Sequence, residues 1–328
     1  MKKYFWLSCF LLPLQVLWAQ DSTMNNLMKD MDSSAPEKKR PVKIFNSEKV
    51  INSNTTEVVA RGKMEFNVSH NFMDIAGRQG GIKKFYGFDN STDVRIGFHI
   101  GLTDRLNLNF AHSKGDSRGL IPDVAGRPTQ YLPNQLYEIA LKYQLLRQLE
   151  NDPHHPIAVT FFFNNVTSAV DTAITDYKFK NLGDRMSQVY QLIIAKKIGK
   201  VSIQLSPTLV HQDYVLNNDD ATTFALGGAI RIPFSARFAF LVDYIHCFIS
   251  DTKKANYNNN NRVTFHDPLG FGFEVTTAGH VFSLKFTNTS AILENQYIPY
   301  NSTSWGKGQY RWAFNISRTF SLWRPKEK

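Results

Sequence analysis

Few residues in this chain of 328 have the types and spacing that chemistry requires. His154-His155 has the composition of a metal-ligand pair, but adjacent side chains on extended backbone diverge, and Pro153 and Pro156 mark the stretch as a turn. An acyl hydrolase needs a Ser, a His and an orienting polar group brought together. His112 stands beside a long connector without a serine motif, and Asp213, Asp219 and Asp220 suit an acid-dependent protease by position alone. Gly77-Arg78-Gln79-Gly80-Gly81 has the glycines of a phosphate cradle but lacks a strand-to-helix context, so it reads as a flexible loop. No catalytic, metal or cofactor set assembles. The expectation is a protein without enzymatic activity and without cofactors, a hydrolase remaining only as an alternative.

The chemistry that does repeat is electrostatic. Arg61, Lys63, Glu65, Arg95, His99, Lys142, Arg231, Asp243, Glu274, Lys285 and Arg311 fall on one phase of two-residue alternations. The other phase holds Phe66, Val94, Ile96, Phe98, Leu106, Leu108, Phe110, Phe271, Phe273, Phe282, Leu284, Phe286, Trp312, Phe314 and Ile316. Successive side chains of a strand point to opposite faces, so the first set forms a polar face and the second a greasy one. Arg and Lys rings select anions in pores, whereas opposite charges paired across a filled interior would hold it shut. Arg61, Arg95 and Arg311 are expected to share one sector, because the first and last strands of a closed barrel are neighbours.

The elements that must position these residues are strands. Alternation predicts them at Val58–Phe72, Thr92–Gly101, Arg105–Lys114, Tyr137–Leu146, Ile157–Ala169, Met186–Ile198, Val201–Tyr214, Ala221–Ile232, Phe238–Phe248, Pro268–Ala278, His280–Thr289 and Gln309–Phe320. Short connectors such as Leu102-Thr103-Asp104 and Gly199-Lys200 alternate with long polar ones such as Met73–Ser91 and Ile249–Asp267. Gly199-Lys200 suits a two-residue hairpin with Gly first. Short turns at one end and long loops at the other are the asymmetry of a bacterial outer-membrane barrel. The predicted fold is all-β: a closed antiparallel up-and-down transmembrane β-barrel of about twelve strands.

The flanks fit that reading. Lys2 and Lys3, the apolar run to Trp18 and Leu17-Trp18-Ala19 make residues 1–19 an export signal, residues 20–54 a polar periplasmic lead-in, residues 55–320 the barrel, and residues 321–328 a basic tail. Beyond Cys9 in the signal, Cys247 stands alone and makes no internal disulfide. A mean hydropathy of −0.31 does not argue against a membrane, because barrel strands are only half apolar. The aromatic load, Phe 25, Tyr 13 and Trp 5, suits a lipid-facing band. A net charge of +10 is spread over strands, turns and loops without a basic helix, which excludes a nucleic-acid partner.

Three stretches resist the pattern. Phe161-Phe162-Phe163 is apolar on both faces, Leu241, Ile245 and Cys247 fall on the inner phase, and Pro207 removes a ladder donor from an apparent central strand, predicting a bulge or broken pairing.

Ile44-Phe45-Asn46, Glu65-Phe66, Ser69-His70-Asn71-Phe72, the run Phe85-Tyr86-Gly87-Phe88-Asp89-Asn90-Ser91-Thr92-Asp93-Val94-Arg95-Ile96-Gly97-Phe98, then Gly101-Leu102-Thr103-Asp104-Arg105-Leu106 and Leu141 to Gln148 resemble an uncharacterised outer-membrane β-barrel family of the Bacteroidota. In that family the first strand usually ends in His-Arg-Phe-Gly; Asn71 and Met73 replace the Arg and Gly here. The resemblance implies an outer-membrane barrel and brings no activity or ligand. The functional expectation is a binding or passive transport channel, embedded in outer-membrane lipids, with a basic lumen preferring a small anionic solute. The alternative is a structural or assembly-related barrel with a side-chain-filled lumen. Oligomeric state is not legible.

Overall fold

The computed structural model describes residues 39–323 except 78–79, 90, 116–134, 170–171, 175–176, 179–180, 214, 216–218 and 262. The expected signal, most of the lead-in, part of the Gly77–Gly81 loop and most of the basic tail lie outside the described residues. Among the described residues fourteen strands follow one another: β1 (Lys63–Asp74), β2 (Ser91–Gly101), β3 (Leu106–Gly115), β4 (Gln135–Leu146), β5 (Ala158–Ser168), β6 (Thr172–Ile174), β7 (Tyr177–Lys178), β8 (Met186–Ile198), β9 (Val201–Gln212), β10 (Thr222–Pro233), β11 (Phe238–Phe248), β12 (Leu269–Thr276), β13 (His280–Thr287) and β14 (Arg311–Ser321). β6 and β7 form a small hairpin in the connector between β5 and β8, and the other twelve strands close into one barrel.

Each barrel strand pairs antiparallel with its neighbour in the chain, and β14 completes the cylinder on β1 from Lys63↔Ser321 to Asn71↔Ala313. Closure leaves no sheet edge with unpaired amides, which is what permits strands to sit in hydrocarbon. Among the described residues no helix is long and apolar enough to cross a membrane. Alternation produces the two faces. On β9, Ser202 is 0% exposed while its neighbours Ile203 and Leu205 are 40% and 55% exposed. The predicted lipid-facing residues from Phe66 to Ile316 are all half-buried or exposed on the outer wall.

The resisting stretches have local explanations. Pro207 sits on the exposed face of β9, and the ladder to β8 breaks between Gln191↔Thr208 and Ile194↔Leu205 with its register kept. The missing donor therefore interrupts the ladder for two pairs without a bulge. Gly199 takes φ 58° in the turn between β8 and β9, a conformation that glycine adopts freely. The first strand starts at Lys63 instead of Val58, because residues 41–60 do not continue the wall. They run inside it.

Candidate functional site

A twelve-strand cylinder lies between narrow barrels filled by their own wall side chains and wide ones that leave a channel. Here two segments of the chain fill the lumen from opposite ends. The first, residues 41–60, both enters and leaves at the short-turn end: Val42 N donates to Gln148 O in the β4–β5 connector (2.8 Å), and Gly62 N donates to Gly101 O at the end of β2 (3.0 Å). Between them the chain makes a re-entrant loop, tightened by Val50 N to Ser53 O (2.9 Å) and Thr55 N to Glu48 O (2.9 Å). The segment read as a polar periplasmic lead-in is, from residue 41 on, an internal element.

Its sequence suits a mixed wall. Ile44, Phe45, Val50 and Ile51 pack with Ala158, Ala195, Ala229 and Leu241 of β5, β8, β10 and β11. Gly270 on β12 makes room for it, since a Cβ there would strike the Ile51 side chain. Buried backbone and polar groups need partners. The wall supplies them: Asp243 accepts from Asn52 N (2.6 Å) and Ser53 N (2.9 Å), Lys285 Nζ donates to Ile51 O (2.8 Å), and Gln204 Nε2 donates to Asn54 O (2.6 Å). Glu48 lies 2.8 Å from His99 Nδ1 and 3.5 Å from Lys142 Nζ, and accepts from Asn107 Nδ2 (3.0 Å).

The second segment, residues 288–303 of the β13–β14 connector, enters from the long-loop end. It contains a fully buried helix, Glu294–Tyr300, whose internal hydrogen bonds let backbone cross the lumen. Tyr297, Ile298 and Tyr300 pack against Val189, Val210, Ala225, Ile245 and Cys247. Ile292 N donates to Asp93 Oδ2 (3.0 Å), and Asn295 Nδ2 donates to Ser187 Oγ (2.7 Å). The two segments meet where Lys49 Nζ approaches Glu294 Oε1 at 3.2 Å, Asn54 Nδ2 donates to the same oxygen (3.1 Å), and Tyr297 Oη donates to Asn52 O (3.4 Å).

The predicted lumen residues divide accordingly. Glu65, Arg95, His99, Lys142, Arg231, Asp243, Glu274, Lys285 and Arg311 are buried, whereas Arg61 and Lys63 are exposed where β1 begins. The buried cations have partners: Arg95 with Glu138 (2.8 Å), Arg231 with Glu274 (2.9 Å) and Arg311 with Asp74 (2.8 Å), besides Lys142 and Lys285 above. Of the three arginines expected to share one sector, Arg61 is exposed before the wall begins, while Arg95 and Arg311 lie on the two strands that flank β1, at different heights. Arg61 precedes one end of β1, Arg95 pairs across from Ser69, and Arg311 pairs with Asp74 at the other end. The carboxylate that Arg95 takes comes from β4, at Glu138. Three polar atoms on β1, β3 and β14 are engaged by neither segment: Glu65 Oε1, Asn109 Oδ1 and Asn315 Oδ1 are buried with no protein hydrogen-bond partner.

The residues first considered for catalysis do not converge. His112 Nδ1 lies 3.2 Å from Leu136 O, and its ring stacks on Tyr137. Asp213 pairs with His211 (3.4 Å), and Asp219 with Lys253 (3.0 Å). Asp220 N donates to Asp219 Oδ1 (2.9 Å). Asp152 caps the His154-His155 turn, accepting from His154 N (3.0 Å). Among the described residues no three His, Cys, Asp or Glu side chains are placed to hold a metal ion. Sequence reasoning missed Glu48, Lys49, Asn52, Glu138 and Glu294. The signal for the first three was Ile44-Phe45 and Val50-Ile51, apolar pairs in an otherwise polar lead-in.

Residues 45–320 match the protein family described as a membrane bound beta barrel domain (DUF5777). No curated protein matches the chain. Among solved structures it is similar to the NanC porin (7% identity, TM-score 0.47, covering 77% of this chain and 98% of that one) and to the KdgM porin (7%, 0.44, 78% and 99%). It is also similar to an outer membrane channel from Pseudomonas putida F1 (12%, 0.43, 81% and 98%).

Proposed function

The chain belongs to this family of membrane-bound β-barrels of the outer membrane, and from that premise we propose that it is a channel held closed by two segments of its own chain. The observation that carries the reading is the re-entrant path of residues 41–60. Because both ends of that loop lie at the short-turn mouth, it can withdraw as a unit without threading through the barrel. The wall supports the same reading. Leaving a buried polar group unpaired costs about 1–3 kcal/mol, so a lumen designed to stay dry has no use for Glu65, Asn109 and Asn315. Withdrawal would separate Lys142 and His99 from Glu48, and Lys285 from the Ile51 carbonyl, leaving cations free to favour a small anionic solute.

A second reading, a permanently filled scaffold, is favoured by the apolar packing of Phe45 and Ile51 on Leu241. Planar-bilayer recording separates the two. The full chain should be mostly silent with brief openings, and a variant with Ile44–Thr56 and residues 289–302 both replaced by Gly-Ser linkers should conduct persistently with anion preference. A folded, inserted linker variant that stays silent would contradict the channel reading.

A further inference from the structure

We propose that the exterior rim beside the β1–β2 connector is a docking surface for a phosphorylated glycolipid of the outer leaflet. Residues Ile82–Gly87 form a short turn of 3-10 type whose tip carries Ile82 at 78%, Phe85 at 66% and Tyr86 at 49% exposure. Phe85 and Tyr86 both lie in the left-handed region, with φ 44° and 51°. That conformation is costly for large L residues and is retained only where the surroundings enforce it. Tyr86 N and Lys84 N donate to Gly81 O, and Gly81 N donates to Ile75 O, which pins the turn to the end of β1.

The turn lies over the outer wall, not over the lumen. Phe88 stacks on Trp312 (5.3 Å) and meets Phe72 edge-on (5.1 Å), two outward residues of β14 and β1. From Trp312 the rings continue through Phe286 (4.4 Å) to Phe271 (5.2 Å) and Trp305 (5.3 Å). This is an aromatic girdle at the long-loop end, which faces the exterior. The turn extends it beyond the strands. Lys83 and Lys84 are exposed within the same apolar tip, and neither has a carboxylate within ion-pair distance among the described residues. Apolar side chains that enter the headgroup boundary beside free ammonium groups are the recognition chemistry for an anionic lipid surface. On the outer leaflet of an outer membrane that surface is the phosphates of lipid A. Neutral lipid or a second copy of the chain would use the rings but leave the lysines without a partner.

The test uses the full chain folded in a neutral detergent and follows the temperature at which the compact gel band converts to the unfolded one. Bis-phosphorylated lipid A should raise that temperature in the wild type. In Lys83→Gln/Lys84→Gln the apparent affinity should fall by roughly tenfold or more. Lys200→Gln, in the turn at the opposite end, should behave as the wild type. An equal response of the double variant would overturn the proposal, as would an equal response to dephosphorylated lipid A or to phosphatidylglycerol, or no response at all. A wild-type dimer that Phe85→Ser/Tyr86→Ser disperses independently of lipid would assign the surface to a second copy and equally overturn it.

Discussion

Lys49 and Glu294 reach each other from opposite ends of the barrel: their charged groups lie 3.2 Å apart, and both side chains are buried. One belongs to a loop that enters through the short-turn mouth, the other to a helix carried in by the β13–β14 connector. Their contact joins two halves of a plug that also touch where Asn54 meets Glu294, where Tyr297 meets the Asn52 carbonyl, and where Thr289 Oγ1 donates to Asn52 Oδ1 (3.1 Å).

Breaking one side of that pair should be worse than removing both. Lys49→Ala leaves a buried carboxylate with Asn54 alone, at an expected cost of about 3–5 kcal/mol. Lys49→Met/Glu294→Leu replaces the pair with apolar volume and should fall within about 1–2 kcal/mol of the wild type. Denaturant titration of the folded gel band distinguishes the two. Equal losses would show that the residues are not coupled.

The faces of β14 can be checked at Phe314, which is half-buried on the outer wall and stacks on His70. Phe314→Arg places a cation toward lipid at about 2–4 kcal/mol near the midplane, and the yield of inserted protein should drop. A change to Leu should be tolerated. Undiminished insertion of the Arg variant would mean that the strand is turned the other way.

Leu241 is 0% exposed on the inner wall and packs on the re-entrant loop. Leu241→Ala should therefore destabilise the full chain by about 2–5 kcal/mol. In the variant whose Ile44–Thr56 is replaced by a Gly-Ser linker, the same change should cost much less, because its packing partner is gone. Identical losses in both backgrounds would separate Leu241 from the loop.

Asp267, just before β12, accepts from Tyr244 Oη (2.5 Å) and Cys247 N (2.9 Å), and its carboxylate lies 2.8 Å from His246 Nδ1. Burial pushes its pKa up, but these bonds outweigh burial and hold it below the ordinary carboxylate range. A depressed folded pKa contributes stability above the unfolded value that is lost as pH falls through the folded one. Protection of the 249–268 connector from protease should thus persist down to about pH 4 and fail below it. Asp267→Asn should weaken that protection already at neutral pH. Loss of protection at pH ~6 in the wild type would contradict the assignment.

The wall was legible because its signal is local: a two-residue period between turn residues reports a half-buried strand wherever it occurs. Trp312 and Arg311 announce their faces without reference to anything distant. The plug was not legible, because its meaning lies in contacts across as many as 245 residues, as between Lys49 and Glu294. Its trace was nevertheless present as misfits. Leu241, Ile245 and Cys247 break the polar phase because they face protein instead of water, and Phe162 does so because it packs on Ala140 and Ile193. A basic lumen was inferred from wall residues alone; Glu48 and Glu138, which partner its cations, come from the lead-in and from an unregarded position of β4.

The central claim is that the barrel is shut by two loops meeting at Lys49 and Glu294, and it is tested most directly by tying them together. Lys49→Cys/Glu294→Cys in a Cys247→Ala background can be bridged with a short reducible bis-thiosulfonate and recorded in a planar bilayer. The account predicts efficient intramolecular bridging in the folded protein, no current while the bridge is intact, and openings after reduction. A folded protein that does not bridge, or current that is the same before and after reduction, would contradict it.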